Sequence, residues 1–279
     1  MTVESESKIE CSDERVITLN VVVLISGSGS NLQALIDNLP KFKSPSARIS
    51  LVISNSKYAY GIERARGSVP EIPTKVFSLA SFRKCHDQKL LTINQHQREG
   101  TNDSSATTAS SSVVPEPSVE EIKRRIRIDY DRQLAGIVKS GRPHLVVLAG
   151  FMHILSKEFL DLMTFDWKQD EGVATSCERS KIPVINLHPA LPGQFDGSDA
   201  IRRAYDVGPN GSKQIDHTGV MVHEVISQVD KGQPIITESV MMIEGESFET
   251  FENRMHEVEH DLIVRATFEM LSRISKSSP

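Results

Sequence analysis

One pattern constrains the fold of this chain more than any other. A short unbroken apolar run is followed by a break of glycine, serine or proline and then by residues at helical spacing. Val21-Val22-Val23-Leu24-Ile25 stops at Ser26-Gly27-Ser28-Gly29-Ser30, and Asn31–Asp37 follows. Arg48–Ser54, Lys75–Phe77, Leu145–Ala149 and Pro183–Leu187 read as further strands, with Tyr60–Arg66, Val119–Lys139 and Lys157–Met163 as helices among them. Unbroken apolar runs suit strands covered on both faces, and their alternation with helices dictates right-handed βαβ units. The expected class is therefore α/β, a doubly wound, mostly parallel sheet of Rossmann-like type. Beyond a helix at Ile201–Tyr205 the rhythm changes. Thr218–Val225 and Pro234–Met242 read as antiparallel strands joined through Gln228-Val229-Asp230-Lys231-Gly232-Gln233, and a long helix runs from about Ser247 to Ile274.

Apolar residues make up 38% of the 279, below the usual share, so part of the chain is expected to lie outside any core. Asn94–Ser118 (NQHQREGTNDSSATTASSSVVPEPS) has almost nothing to bury. It reads as a disordered insertion at 94–118 inside one domain spanning 15–275, preceded by a flexible tail at 1–14. No apolar run reaches the ~18–20 residues that cross a bilayer, and the acidic, Ser-rich start resembles neither a secretory signal nor a transit peptide. Cys11, Cys85 and Cys177 are scattered, as reduced thiols are. A cytoplasmic protein without membrane contact is expected. The net charge of −5 argues against nucleic acid as a partner and leaves room for a local cationic pocket.

Four places carry candidate chemistry. Ser26–Asn31 joins a strand to a helix, where free N–H groups and the helix dipole favour an anion. It approaches the dinucleotide pattern G-x-G-x-x-G, but Leu32 stands where the third glycine belongs, and Ile53-Ser54-Asn55 lacks the acid that would hold a ribose. A phosphate monoester site remains, or a turn with no ligand. Asn186 and His188 alternate on one strand, so both side chains point the same way at its carboxyl end. An amide donor beside an imidazole can stabilise an oxyanion. Asp230 reads as a solvated turn residue or as a partner of His188. In the second case its charge would lift the imidazole above its ordinary value near 6.5. His256-Glu257-Val258-Glu259-His260 satisfies H-E-x-x-H, but no third ligand follows at the spacing a zinc site needs, and no metal is expected.

Taken in order, Val22–Ile36 (VVLISGSGSNLQALI), Leu148–Ser156 (LAGFMHILS), Asn186–Gly193 and His217–Pro234 closely resemble the phosphoribosylglycinamide formyltransferase family. The likeness runs from about Arg15 to Ser272, apart from the insertion and extra residues around Thr164–Ser180. It is strongest to the fungal monofunctional enzymes, which share NLHPALPG-x-FDG. The resemblance implies transfer of a formyl group from 10-formyltetrahydrofolate, as co-substrate, to the amine of glycinamide ribonucleotide in purine synthesis. Asn186, His188 and Asp230 match the family's catalytic set, with no metal. Gly29, Ser30 and Asn31 match its phosphate loop, and Glu259 its contact to the sugar. Met152, His153, Ile154 and Leu155 match one wall of the folate site, His153 standing where the family often has Arg. Ile226, Ser227, Gln228, Val229 and Asp230 match another wall, which Asn186 also borders. Arg127, in Arg127-Ile128-Asp129-Tyr130-Asp131, fits the family's folate arginine better than Arg83 does. The partners implied are small molecules, acting on a monomer or weak homodimer. The alternative is another formyl-folate enzyme, such as a formyltetrahydrofolate deformylase or a different amine formyltransferase.

Overall fold

The computed structural model describes residues 18–85, 118–165 and 180–277. The tail at 1–14 and the insertion up to residue 117 lie outside the described residues. Strands β1 (Thr18–Ile25), β2 (Ser46–Ser54), β3 (Thr74–Val76), β4 (Leu145–Leu148), β7 (Val184–His188), β8 (His217–Glu224) and β9 (Pro234–Met241) form one sheet in the order β3-β2-β1-β4-β7-β8-β9. The first five strands in that order run parallel, and β8 and β9 are antiparallel to their neighbours. The helices include α1 (Ser30–Asn38), α2 (Gly61–Arg66), α3 (Val119–Ser140), α4 (Lys157–Leu162), α5 (Ala200–Val207) and α6 (Phe248–Ser277). The sheet is the mixed one expected, with antiparallel C-terminal strands and a long final helix.

Alternate residues of the buried strands feed two cores. Val21, Val23, Ile25, Val147, Ile185 and Leu187 pack with α1, α2 and α6 on one face. Val22, Leu24, Val146, Leu148 and Val184 pack with α3 and α4 on the other. Helix α3 presents Ile126, Tyr130, Leu134 and Val138 at intervals of four, the spacing of a buried stripe. The Ser118 hydroxyl accepts from Glu121 N at 3.2 Å and caps its first turn, so Ser118 belongs to the helix and not to the insertion. A two-stranded ribbon, β5 (Thr164–Phe165) with β6 (Ser180–Lys181), was not foreseen, because two-residue strands carry no periodic signal.

The chain leaves β1 toward β2 on one side, while β4 leads to β7 on the other. Open α/β sheets hold ligands in the crevice at such a switch, beyond the carboxyl ends of the strands.

Candidate active site

The loops that leave β1 and β4 wall this crevice and are tied together. Ser26 N donates to Gly150 O at 3.0 Å, and Met152 N donates to Ser26 Oγ at 2.6 Å. Gly29 turns the first loop at φ +71°, a conformation that glycine adopts without strain. A Cβ there would lie 2.5 Å from Gly61 Cα, and Gly61 N in turn donates to Gly27 O at 3.2 Å. Arg64 braces the loop from α2, its Nε donating to Ser28 O at 2.9 Å. Helix α1 then starts at Ser30 with no side chain capping it, so its first N–H groups face the crevice with the positive end of the dipole.

Asn31 is buried, donates from Nδ2 to Glu259 Oε2 at 3.2 Å, and leaves Oδ1 without a partner. Glu259 occupies a core position of α6, in the stripe of Phe251, Met255, Leu262 and Ile263. Burial pushes its carboxyl up, against the opposing pull of the Asn31 amide and nearby His256. The H-E-x-x-H stretch is thus split: Glu259 turns inward to Asn31, while Nε2 of His260 is buried without a partner and burial pushes that imidazole down. Among the described residues, no three His, Cys, Asp or Glu side chains gather as a metal site.

Asn186, His188 and Asp230 do meet. His188 is 4% exposed, with Nδ1 3.6 Å from Asp230 Oδ2, too long for a hydrogen bond but close enough for charge to act. Its Nε2 is buried and unpartnered. Asn186 Nδ2 lies 3.5 Å from Asp230 Oδ1. Asp230 sits at φ +52°, and its Oδ2 accepts from Gly197 N at 2.8 Å, which joins the turn after β8 to the loop after β7. An ion pair between Lys231 and Asp196 ties the same two loops. Burial raises the Asp230 carboxyl, yet His223 at 3.5 Å, the hydrogen bond from Gly197 and the nearness of His188 hold it below the usual range.

The expected rise of the His188 pKa does not occur. Burial lowers it, Asp230 raises it, His223 lowers it again, and the net direction is down. Desolvation of an almost fully enclosed ring outweighs one carboxylate beyond hydrogen-bonding distance. His188 therefore rests toward its neutral form.

The folate-side residues divide between surface and support. Met152 is 76% and Ile154 55% exposed, and Ile226, Ser227, Gln228 and Val229 are exposed as well. Leu155 is a core side chain, so only its backbone can face a ligand. His153 turns inward, its Nε2 2.7 Å from Oδ1 of fully buried Asp131, whose Oδ2 accepts from Ser156 N at 2.8 Å. Arg127 donates to Ile154 O at 2.7 Å and so braces the same loop. Arg83 lies on helical residues 79–85, where neighbouring Phe82 packs edge-on against Tyr130.

Sequence reasoning missed His223. It is 2% exposed, with Nε2 3.2 Å from Asn186 Nδ2 and 3.5 Å from Asp230 Oδ1. The register pairs it directly with Asn186 across β7 and β8. Its signal was alternation: Met221 and His223 share one face of a strand, and the antiparallel pairing makes it the face of Asn186 and His188.

An amide, an imidazole with a free nitrogen and a carboxylate behind it, at the end of a doubly wound sheet, can polarise a carbonyl and move a proton beside it. The chain belongs to the formyl transferase family, whose pattern matches residues 19–166 and 174–267. Within that family its similarity is to phosphoribosylglycinamide formyltransferases. The enzyme of Schizosaccharomyces pombe is 37% identical over 254 residues, covering 91% of this chain and 97% of that one. The enzyme of Saccharomyces cerevisiae is 36% identical over 259 residues, covering 92% and 99%. The crystal structure of phosphoribosylglycinamide formyltransferase from Campylobacter jejuni superposes with a TM-score of 0.61 at 25% identity, over 92% of this chain and all of that one.

Proposed function

We propose that this chain transfers the formyl group of 10-formyltetrahydrofolate to the primary amine of 5-phosphoribosylglycinamide, a step of purine biosynthesis. The observation that carries the reading is the unpartnered Nε2 of His188, enclosed beside Asn186 and backed by Asp230. End-to-end similarity to enzymes named for this reaction supports it.

The anion-favouring end of α1 suits the ribonucleotide phosphate, held by Gly29, Ser30 and the Asn31 side chain, with Glu259 toward the sugar. The exposed Met152 and Ile154, the braced backbone of 153–155 and the 226–230 turn suit the folate. Between them the amine nitrogen attacks the formyl carbon, and the carbonyl electrons move to oxygen. The Asn186 amide donates to that oxygen, in the manner of an oxyanion hole. Neutral His188 accepts the amine proton at Nε2, and Asp230 stabilises the imidazolium as it forms. Collapse breaks the bond to the folate nitrogen, which takes the proton back from His188. No charge has to be held in the enclosed ring before substrate arrives.

The reading also includes a monomer or weak homodimer acting in the cytoplasm. The deciding experiment is a formyl-transfer assay on the purified protein, with and without 5-phosphoribosylglycinamide. Tetrahydrofolate should form only when the ribonucleotide is present. Release of formate without it would point to a hydrolase, and no turnover at all would overturn the reading.

A further inference from the structure

Among the described residues, His223 is a buried histidine in contact with both Asn186 and Asp230, and the reaction as drawn does not use it. Its Nδ1 lies 2.8 Å from the carbonyl oxygen of Glu224. A carbonyl only accepts, so Nδ1 carries the proton, and in the neutral ring Nε2 is left as an acceptor. The Asn186 group facing it, at 3.2 Å, must then be the NH2, and the Asp230 carboxylate on the same side makes the same demand. Seen from Asn186 Nδ2, the two acceptors are only about 60° apart, given separations of 3.2, 3.5 and 3.5 Å among the three atoms. The two N–H bonds of a planar amide diverge by about 120°. One N–H is therefore shared by His223 and Asp230, and the other is free to point into the crevice.

We propose that His223 is a positioning residue: as its Nδ1–H tautomer it fixes the rotation of the Asn186 amide so that one N–H is presented to the oxyanion of the transferred formyl group. The Asn186 role rests on the proposed formyl transfer, whereas the tautomer and the amide rotation do not. Glycine at 232 makes the arrangement possible, since a Cβ there would lie 1.5 Å from Glu224 O and 3.1 Å from His223 Nδ1. Protonation of His223 would undo it. Nε2–H would face the Asn186 donor and turn to Asp230 Oδ1, taking from His188 part of the charge that stabilises its imidazolium. The charged and titratable groups facing His223 are Asp230 from the turn and His188 from β7.

Two measurements test this on the full chain. Long-range 15N–1H correlation of the histidine rings in the unaltered protein at pH 7.5 should show His223 as the Nδ1–H tautomer; an Nε2–H ring would overturn the proposal. His223→Leu should lower kcat about 10- to 100-fold with KM for both substrates within about threefold, as for a hydrogen bond that matters at the transition state. His223→Gln, whose amide oxygen can take the place of Nε2, should recover kcat to within about fivefold of the unaltered protein. A Gln variant as slow as the Leu variant, while melting normally, would overturn the positioning role. If the unaltered protein transfers no formyl group, the functional reading falls, and the ring correlation alone decides the tautomer.

Discussion

The anion loop after β1 and the polar cluster at the end of β7 face one crevice, but they are built from different material. The loop is backbone: glycines at 27 and 29, an uncapped helix start, and Arg64 bonded to a carbonyl. Its proposed attraction for a phosphate rests mainly on groups that do not titrate near neutrality, helix dipole and guanidinium, with Glu259 behind Asn31 as the ionisable exception. The cluster is side chains from three segments, Asn186 and His188 on β7, His223 on β8 and Asp230 beyond it, and the ionisation of His188 and of Asp230 depends on these neighbours. Binding strength and chemistry thus sit in separate hands, and substitutions should separate them.

The largest effect is expected on the side-chain half. His188→Ala and Asp230→Asn should each lower kcat by about two to four orders of magnitude, the range of general acid–base groups, with nucleotide affinity nearly intact. The pH profile carries a sign. His188 must be neutral to accept a proton and rests below its ordinary 6.5, so the acid limb of kcat/KM should lie below pH 6.5. Asp230 favours the imidazolium, so Asp230→Asn should move that limb further down. An upward shift would mean that His188 works in its charged form.

On the backbone half, Gly29→Val places a side chain against Gly61 at a left-handed φ. Affinity for 5-phosphoribosylglycinamide should fall by about 100-fold or more, while a folate analogue binds within about threefold by calorimetry. Equal loss of both ligands would mean the damage is global.

Glu259→Gln sharpens the boundary between the halves. Burial raises the carboxyl, so its contribution to stability is fully present below the unfolded value of about 4.5 and is lost as pH rises through the higher folded value. The neutral amide should raise Tm by about 2–4 °C at pH 8 and little at pH 4.5, while raising KM for the ribonucleotide about tenfold. A Tm gain that did not change with pH would detach the effect from ionisation.

The smallest effect is expected from the segment with the least to bury. Replacing residues 94–117 by a short Gly/Ser linker and keeping the Ser118 cap should leave Tm and kcat nearly unchanged. A large loss of Tm would show that the polar segment packs on the domain.

The same contrast explains what could be read in advance. The loop is contiguous, so Ser26–Asn31 could be picked out from composition and position alone, as could the buried runs of β1, β4 and β7, whereas Gly29, Ser30 and Asn31 are singled out by the family resemblance. Asn186 and His188 share a face by the two-residue period of a strand. Asp230 stands 42 residues beyond His188, and only the antiparallel return of β8 brings it back, which composition cannot show. His223 needed the register as well. The direction of the His188 shift went wrong for a related reason, since a partner can be guessed from a motif but the degree of enclosure requires the packed loops. Glu259 could have been found from pattern alone, as an acid where the α6 stripe calls for an apolar side chain.

The approach of Gly29 to Gly61 has a mechanical consequence. Two helix starts touch there backbone to backbone, with Arg64 and the Gly61 N–H stitching one to the other, so the loop cannot swing without dragging α2 along. A cradle held this way has little freedom to change shape when a ligand enters it. Its ligand should associate in one exponential phase whose rate climbs linearly with concentration, with no plateau from a preceding or following rearrangement.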